Sequence, residues 1–168
     1  PPWFVTLKTV IIFQRSGIYV IMKNYLIGID LGGTKIEIVV LDTNKEIQFR
    51  ERLPTESRKG PSHIINQIKA LYKNAVAFIN NAPHTIGVGS PGSLSAKTGL
   101  LRNSNTLCLN ELPLQKLIEE ALQKKIVLEN DANCFALAEA NFGAGKNHNL
   151  VFGVIMGTGC GGGFVINN

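Results

Sequence analysis

Two β-rich segments joined by a glycine turn constrain the fold of this chain more than any other feature. They are "NYLIGID" (24–30) and "IEIVVLD" (36–42), and the turn between them is "LGGTK". A connection this short joins antiparallel strands, because parallel strands need a crossover of a dozen or more residues. A third β-rich segment, "EIQFRERL", follows closely, so the sequence predicts an antiparallel meander of three strands.

Helical and strand patterns alternate after the meander. Pro61 suits the first turn of a helix, and apolar residues recur at helical spacing from there to about Asn80. The segment "TIGVGSPG" predicts a strand and a turn, "LPLQKLIEEALQK" a second helix, and "KIVLEND" another strand. A third helix is predicted over "ANCFALAEANFGAG", and we expect Gly143 and Gly145 to end it in the left-handed conformation.

The last segments repeat the design of the first. "LVFGVIM" and "GFVIN" flank "GTGCGG", which predicts a second unit of strand, glycine turn and strand. With nothing to cover them, these two strands are expected to expose apolar surface and open edges, and therefore to be marginally ordered or to self-associate.

The composition is that of an ordinary globular protein, with 45% hydrophobic and 17% charged residues among 168. The formal net charge is +5, but the sequence has no continuous basic stripe and no zinc-finger spacing, which argues against nucleic acid as a partner. Cys108, Cys134 and Cys160 are widely spaced, which favours reduced thiols in a cytoplasmic protein.

The opening segment "PPWFVTLKTVIIFQRSGIYVI" is apolar but is interrupted by charge. Arg15 and Lys23 break it before it reaches the ~20 residues of a membrane span. No small-residue cleavage site follows, although a signal peptide is the alternative. We take Met22 as the natural start and residues 1–21 as an upstream extension that is not part of the fold, and we expect no membrane partner.

The first glycine turn, from Asp30 to Lys35, has the groups that bind a phosphate. Glycines let backbone N–H groups approach an anion closely, Thr34 adds a hydroxyl and Lys35 a cation. The carboxylate of Asp30 would repel phosphate unless Mg²⁺, directly or through its waters, stands between them. A plain β-hairpin connection is the alternative interpretation of this turn.

The second glycine turn formally contains G-x-G-x-x-G, from Gly157 to Gly162. A dinucleotide fingerprint needs a helix to start inside the motif, whereas the segment that follows is β-rich. The P-loop pattern G-x-x-x-x-G-K-[ST] is absent from this turn. Two glycine turns of one design can instead face each other across a cleft and hold a polyphosphate from both sides.

Between two such turns, Asp131 is a candidate catalytic base. A carboxylate at the end of a strand can accept the proton of a substrate hydroxyl while that oxygen attacks a γ-phosphoryl group in line. Phosphoryl transfer tolerates a weak base, because its loose transition state depends mainly on positioning and charge neutralisation. A helix cap is the alternative role for Asp131.

Five segments carry a family resemblance by their order and spacing: "IGIDLGGTKIEIVVLD", "GVGSPGS", "RNSNT", "LENDANCFALAEA" and "VIMGTGCGGG". Together they resemble the ROK family of sugar kinases and repressors over residues 22–168, with the bacterial fructokinase and mannokinase branch and the N-acetylglucosamine kinases nearest. The resemblance implies an α/β, actin-like (ribonuclease-H-like) ATPase fold. A βββαβαβα lobe would occupy residues 22–133, and residues 134–168 would form the connecting helix and the first hairpin of a second lobe.

The resemblance also implies the site residues, with Asp131 as catalytic base and Asp30 near Mg²⁺ through water. The first phosphate loop is Gly28, Ile29, Asp30, Leu31, Gly32, Gly33, Thr34 and Lys35. The second is Gly157, Thr158, Gly159, Cys160, Gly161, Gly162 and Gly163. The sugar pocket comprises Gly89, Ser90, Pro91, Gly92, Asn105, Asn130 and Asp131. Amide and carboxylate groups of this kind suit a polyol, since a site built to hydrogen-bond hydroxyls discriminates strongly.

The function implied is an ATP- and Mg²⁺-dependent hexose kinase, present here as its N-terminal half and expected to be inactive as an isolated fragment. Fructose, mannose, glucose and N-acetylglucosamine are the candidate acceptors, and a homodimer is expected of the full-length protein. This chain lacks the aromatic residue that fructokinase-like members have near Cys108. The zinc site, further sugar-contacting acids and the adenosine pocket would lie past Asn168. The alternative is a sugar-sensing repressor or a non-catalytic sugar-binding protein, although residues 1–21 lack the pattern of a helix-turn-helix.

Overall fold

The computed structural model describes residues 24–156 and 160–167. The strands are β1 (Tyr25–Leu31), β2 (Lys35–Leu41), β3 (Ile47–Pro54), β4 (His84–Ser90), β5 (Ser93–Leu94), β6 (Leu101–Arg102), β7 (Val127–Asn130), β8 (Leu150–Met156) and β9 (Cys160–Ile166). The α-helices are α1 (Pro61–Phe78), α2 (Leu114–Leu122) and α3 (Asp131–Phe142). The extension expected at residues 1–21 lies outside the described residues.

Five strands form one mixed sheet in the order β3-β2-β1-β4-β7. The meander is confirmed, because β1 pairs antiparallel with β2 and β2 with β3. The strands β4 and β7 extend the sheet on the other side of β1, both in parallel. Parallel strands end at the same edge of a sheet, and here Asp30 pairs with Gly89 and Ser90 with Asn130. The residues that end β1, β4 and β7 are therefore neighbours.

The main core lies between one face of this sheet and helices α1 and α2. The predicted first helix is confirmed and begins at Pro61, after Gly60 at a φ of 86°. Its buried stripe includes Ile64, Ile68 and Leu71, each 0% exposed. These residues form one cluster with apolar side chains from β1, β2, β4 and α2.

Helix α3 reaches a different part of the sheet. The ammonium of Lys45, in the turn after β2, lies 4.4 Å from the ring centroid of Phe142 at the end of α3. Val39 and Leu41 are buried outside the main core cluster.

Because side chains alternate along a strand, Asp30 points away from the face of the sheet that carries Ile29 and Leu31.

The structure corrects two local predictions and adds one element. Gly143 ends α3 with a φ of −110°, and Gly145 is not among the positive-φ glycines, so the left-handed conformation predicted for both is wrong. Both are instead tightly packed, since a Cβ on Gly145 would lie 2.7 Å from Val151. The small β5–β6 hairpin was not predicted, because its strands are only two residues long.

The strands β8 and β9 form the second hairpin that the sequence predicts. Its inner face rests on α3, where Gly153 and Gly163 are buried. Its outer face is apolar and exposed, at Leu150, Phe152, Val154, Met156, Phe164 and Ile166. The exposure expected of these strands is thus observed, while their self-association stays a prediction.

Within the described ranges, we find no helix that combines the length and the apolar character needed to cross a membrane.

Candidate functional site

Three hydrogen bonds fix the backbone of the first glycine turn. The N–H of Gly32 donates to the carbonyl of Lys35 at 2.9 Å. A Cβ on Gly32 would lie 2.9 Å from that same oxygen, so the turn requires glycine there. Thr55 supplies the other two bonds, to the carbonyls of Thr34 and Gly32. The residues between, Gly33 and Thr34, are exposed and available to a ligand.

Four members of the predicted first phosphate loop, Gly28 to Leu31, belong to β1 rather than to the turn. Gly28, Ile29 and Leu31 lie in β1 and are buried, the last two at 0% exposure. Ile29 and Leu31 face the main core and hold β1 in place. The exposed part of the predicted loop is therefore Gly33 to Lys35.

The loop that carries Asn105 is held by a neighbouring amide. Asn110 accepts a hydrogen bond from the N–H of Ser104 and donates one to the carbonyl of Ser104, both at 2.9 Å. The hydroxyl of Ser104 in turn accepts the N–H of Thr106 at 3.1 Å. Asn105 itself is exposed, so a rigid loop presents its amide outward.

This loop touches the first glycine turn. A Cβ on Gly33 would lie 3.6 Å from Oδ1 of Asn105 and 3.7 Å from Oγ1 of Thr106. The structure thus brings together a residue predicted to bind phosphate and a residue predicted to bind sugar.

Gly92 and Asn130 join this loop to the start of α3. Gly92 has a φ of 85°, and a Cβ there would lie 2.4 Å from the carbonyl of Arg102. Its own carbonyl accepts a hydrogen bond from Nδ2 of Asn130 at 2.8 Å. Oδ1 of Asn130 accepts the N–H groups of Ala132 and Asn133, so Asn130 is the N-cap of α3. Its Nδ2 has a second hydrogen for a ligand.

Asp131 is the first residue of α3, not the end of a strand as expected, because β7 ends at Asn130. Nor is it the helix cap, since that role belongs to Asn130. Its Oδ1 accepts the N–H of Ala132 at 2.9 Å, and its side chain is half-buried. The partial positive charge of a helix N-terminus favours a carboxylate in this position.

Asp30 and Asp131 both act on the buried thiol of Cys134. Burial, first, and then the negative charges of Glu129, Asp131 and Asp30 together raise the pKa of this thiol to about 12. Coulomb interactions weaken with distance, so all three carboxylates lie in the region of this thiol. Asp30 comes from β1 and Asp131 from α3, which places both at the edge where β1, β4 and β7 end.

Only part of the predicted second phosphate loop can be located. Gly157, Thr158 and Gly159 lie outside the described residues, while Cys160, Gly161, Gly162 and Gly163 begin β9. A Cβ on Gly161 would lie 3.2 Å from the Cβ of Ala132, and one on Gly163 would lie 2.7 Å from the carbonyl of Ala132. The strand that leaves this loop therefore rests on the residue next to Asp131.

Two buried hydroxyls at this site have no hydrogen-bond partner among the described residues. They belong to Ser90, at the end of β4, and Thr106, beside Gly33. Both residues are nearly inaccessible, at 1% and 2% exposure. Buried polar groups are normally paired, so these two hydroxyls are exceptions to that rule, and both lie at the edge that carries the candidate site.

A depression of about 540 Å³ opens beside Asn105. It is lined by Arg102, Asn103, Ser104, Asn105, Leu107, Asn110 and Glu111. Its lining combines side-chain amides and charged groups, which can hydrogen-bond to hydroxyl groups, with the exposed apolar side chain of Leu107.

The sequence did not single out Asn110 or Thr55, because their bonds are visible only once the chain has folded.

The carboxylates at this edge suit a magnesium ion that takes most of its ligands from phosphate oxygens and water. The described residues contain no cluster of three or more His, Cys, Asp or Glu that could hold a metal on its own. Mg²⁺ in phosphotransferases commonly keeps several waters and takes one or two carboxylates together with phosphate oxygens. Asp30, at the end of β1 beside the glycine turn, fits that requirement.

A family model, a curated relative and solved structures match this chain. The model of the ROK family matches residues 26–168. The chain is 37% identical over 140 residues to an N-acetyl-D-glucosamine kinase of Haemophilus influenzae, an alignment of 83% of this chain and 45% of the relative. It also resembles a ROK hexokinase of Thermus thermophilus (TM-score 0.72, 32% identity, 85% of this chain and 47% of that one). A ROK family glucokinase of Streptomyces griseus, solved with glucose and AMPPNP, is similar (TM-score 0.70, 32% identity, 86% and 45%).

This chain belongs to the ROK family. The actin-like α/β fold expected from the sequence is confirmed by the likeness to ROK sugar kinases of known structure. The chain spans about half the length of the relatives it matches, 45% for the Haemophilus influenzae kinase.

Proposed function

We propose that the protein containing this chain is a sugar kinase, which transfers the γ-phosphoryl group of ATP to a hydroxyl of a hexose or an N-acetylhexosamine. The observation that carries the proposal is the convergence of Asp131, Asn105 and the first glycine turn at one edge of the sheet. The three relatives reported above support it, because each is a sugar kinase and one of them was solved with glucose and AMPPNP.

Asp131 is the proposed catalytic base. Its Oδ1 is held by the N–H of Ala132, and we assign Oδ2 to the acceptor hydroxyl. Holding one oxygen fixes the direction of the other, which lets the carboxylate orient the hydroxyl and accept its proton as the new P–O bond forms. A weak base is sufficient, since phosphoryl transfer depends mainly on positioning and charge neutralisation.

Asn105 and Asn130 are the proposed sugar contacts. The two hydrogen bonds between Asn110 and Ser104 keep the loop of Asn105 rigid. The bond from Asn130 to the carbonyl of Gly92 fixes the amide of Asn130 next to Asp131. Rigid donors and acceptors bind a polyol with little loss of conformational entropy, because they are already oriented.

The exposed amides of the first glycine turn are the proposed phosphate contacts, with Thr34 and Lys35 beside them. The second turn, Gly157 to Gly163, would hold the phosphates from the other side. Mg²⁺ near Asp30 would neutralise charge on the phosphates during transfer. ATP and one sugar are therefore the proposed small-molecule partners.

A coupled ADP-release assay on the full-length gene product tests this proposal. Glucose, fructose, mannose and N-acetylglucosamine would be compared at equal concentration with and without Mg²⁺. We expect Mg²⁺-dependent ADP release with at least one sugar, well above the rate without sugar. Sugar binding by a folded protein without any phosphorylation would contradict the kinase and favour the repressor or binding-protein alternative.

A further inference from the structure

Thr55 is the residue outside the glycine turn that holds the turn in shape. It follows Pro54, the last residue of β3, and none of its surface is exposed (0%). Its hydroxyl donates to the carbonyl of Gly32 at 2.6 Å, and its N–H donates to the carbonyl of Thr34 at 3.0 Å. One buried side chain and its own amide thus bind two carbonyls of a turn more than twenty positions earlier in the chain.

The strand pairing explains why Thr55 provides these bonds. Lys35, which begins β2, pairs with Pro54 in the antiparallel register. Hydrogen-bonded and non-hydrogen-bonded pairs alternate along an antiparallel ladder, and the bond from Thr55 to Thr34 makes Lys35 and Pro54 a non-hydrogen-bonded pair, where proline leaves no bond unmade. Thr55 therefore continues the ladder past the end of β3 with its N–H, and its hydroxyl supplies a second donor.

These bonds set the direction of two amides. A trans peptide is planar, and its C=O and N–H point in opposite directions. No peptide bond in the described residues is cis. The carbonyl of Gly32 is directed to the buried Thr55, so the N–H of Gly33, in the same peptide, points away from it. By the same geometry the N–H of Lys35 points away from the bonded carbonyl of Thr34. Both Gly33 and Lys35 are exposed.

We propose that Thr55 is a positioning residue, which orients the amides of Gly33 and Lys35 toward the phosphates of a bound nucleotide. The inference rests on the proposed function and adds to it a residue that does not itself touch the nucleotide. Backbone N–H groups that point to the same side of a turn can bind an anion, and this geometry is lost when the peptides are free to rotate. Without the hydroxyl of Thr55, the peptide between Gly32 and Gly33 loses the only hydrogen bond that it receives from a side chain among the described residues.

Three variants of the full-length gene product separate this role from a general effect on the fold. Thr55→Val keeps the shape and the N–H but removes the hydroxyl donor, whereas Thr55→Ser restores the hydroxyl. Tyr72→Phe is the matched control, because it removes the 2.8 Å hydrogen bond between the buried Tyr72 of α1 and His84, which begins β4 at the end of the sheet opposite the glycine turn. The measurements are the affinity for the fluorescent nucleotide mant-ADP, the KM for ATP and for sugar, kcat, and the midpoint of thermal unfolding.

We expect Thr55→Val to weaken mant-ADP binding and to raise the KM for ATP, by about 10- to 100-fold, the scale of a displaced binding group. The KM for sugar should stay within about twofold of wild type, since the hydroxyl acts on the phosphate side only. Thr55→Ser should recover most of the mant-ADP affinity. Tyr72→Phe should lower the unfolding midpoint without changing nucleotide affinity.

Several results would overturn the inference. Unchanged mant-ADP affinity in Thr55→Val would do so, as would a Thr55→Ser variant no better than Thr55→Val, or equal rises in the two KM values. If Thr55→Val unfolds while Thr55→Ser folds, the hydroxyl supports the whole domain and the specific role is wrong. A wild-type protein that phosphorylates no sugar contradicts the proposed function, but mant-ADP binding still decides the role of Thr55. A folded wild-type protein without mant-ADP binding overturns both.

Discussion

The five-stranded sheet and the β8–β9 hairpin obey the same side-chain alternation but differ in what covers them. In the sheet, Ile29 of β1 and Ile38 of β2 are 0% exposed beneath α1 and α2. In the hairpin, Phe152 is 56% exposed and Phe164 is 67% exposed, although their rings stack on each other at 4.4 Å between centroids. Apolar alternation alone therefore does not establish a core.

The inner face of the hairpin shows how the two regions are joined. Gly153 and Gly163 approach α3 so closely that a Cβ on either would lie within 3 Å of the helix backbone. Small residues on α3, including Ala132 and Ala136, allow this approach. The hairpin is therefore positioned by close backbone packing against α3, whereas the sheet is positioned by large interlocking side chains.

Truncation of one large side chain in each region gives the largest expected contrast. Leu71→Ala removes a fully buried side chain and should lower the free energy of unfolding of the 168-residue chain by about 3 kcal/mol. Phe164→Ala, on the exposed face, should change it by less than about 0.5 kcal/mol. Urea titration followed by circular dichroism measures both.

A large loss of unfolding free energy in Phe164→Ala would contradict this comparison. It would mean that the outer face of the hairpin is covered in solution, for example by a second copy of the chain. The midpoint of urea unfolding would then depend on protein concentration. A midpoint independent of concentration, together with a small cost for Phe164→Ala, would confirm that this face is open.

The thiol of Cys134, on α3, gives a smaller expected effect, which is a dependence of stability on pH. Its pKa is raised from an ordinary value near 9 to about 12, first by burial and then by nearby carboxylates. The unfolded chain releases this proton near pH 9 and the folded chain keeps it, so stability must fall as pH rises above 9. The expected loss is about 1 kcal/mol between pH 9 and pH 10.

Cysteine variants measure this contribution. Cys134→Ala should remove that part of the alkaline loss of unfolding free energy. Cys160→Ala, at an exposed position, is the matched control and should keep it. If both variants show the same slope as wild type, the thiol of Cys134 is not buried as described.

The parts of the fold that sequence predicts are those set by local chemistry. The turn at Gly32 and Gly33 between apolar strands, and Pro61 in the first turn of α1, act over a few residues and were readable directly. The two-residue strands of the β5–β6 hairpin have no periodicity to detect. The glycines after α3 were misinterpreted, because close packing and a left-handed φ both select glycine.

The residue types of the candidate site could be proposed from the sequence, but the contacts between them could not. The carboxylates and amides at Asp30, Asn105 and Asp131 were identified from pattern and resemblance. The contact of Asn105 with Gly33 and the bond from Thr55 to Gly32 join residues far apart in sequence. Such contacts depend on the register of β2 with β3 and on the order of the sheet, which a single sequence does not specify in detail.

Replacement of Asp131 by asparagine tests the central claim most directly. In the full-length gene product we expect Asp131→Asn to lower kcat by about 10²- to 10⁴-fold, because the proton acceptor is lost while the shape is kept. Sugar affinity, measured by calorimetry, should stay within about threefold of wild type. Glu129→Gln is the matched control, an exposed carboxylate two positions earlier, and it should retain most of the turnover. Turnover of Asp131→Asn equal to that of Glu129→Gln would contradict the account, because the carboxylate at the start of α3 would then not be the base.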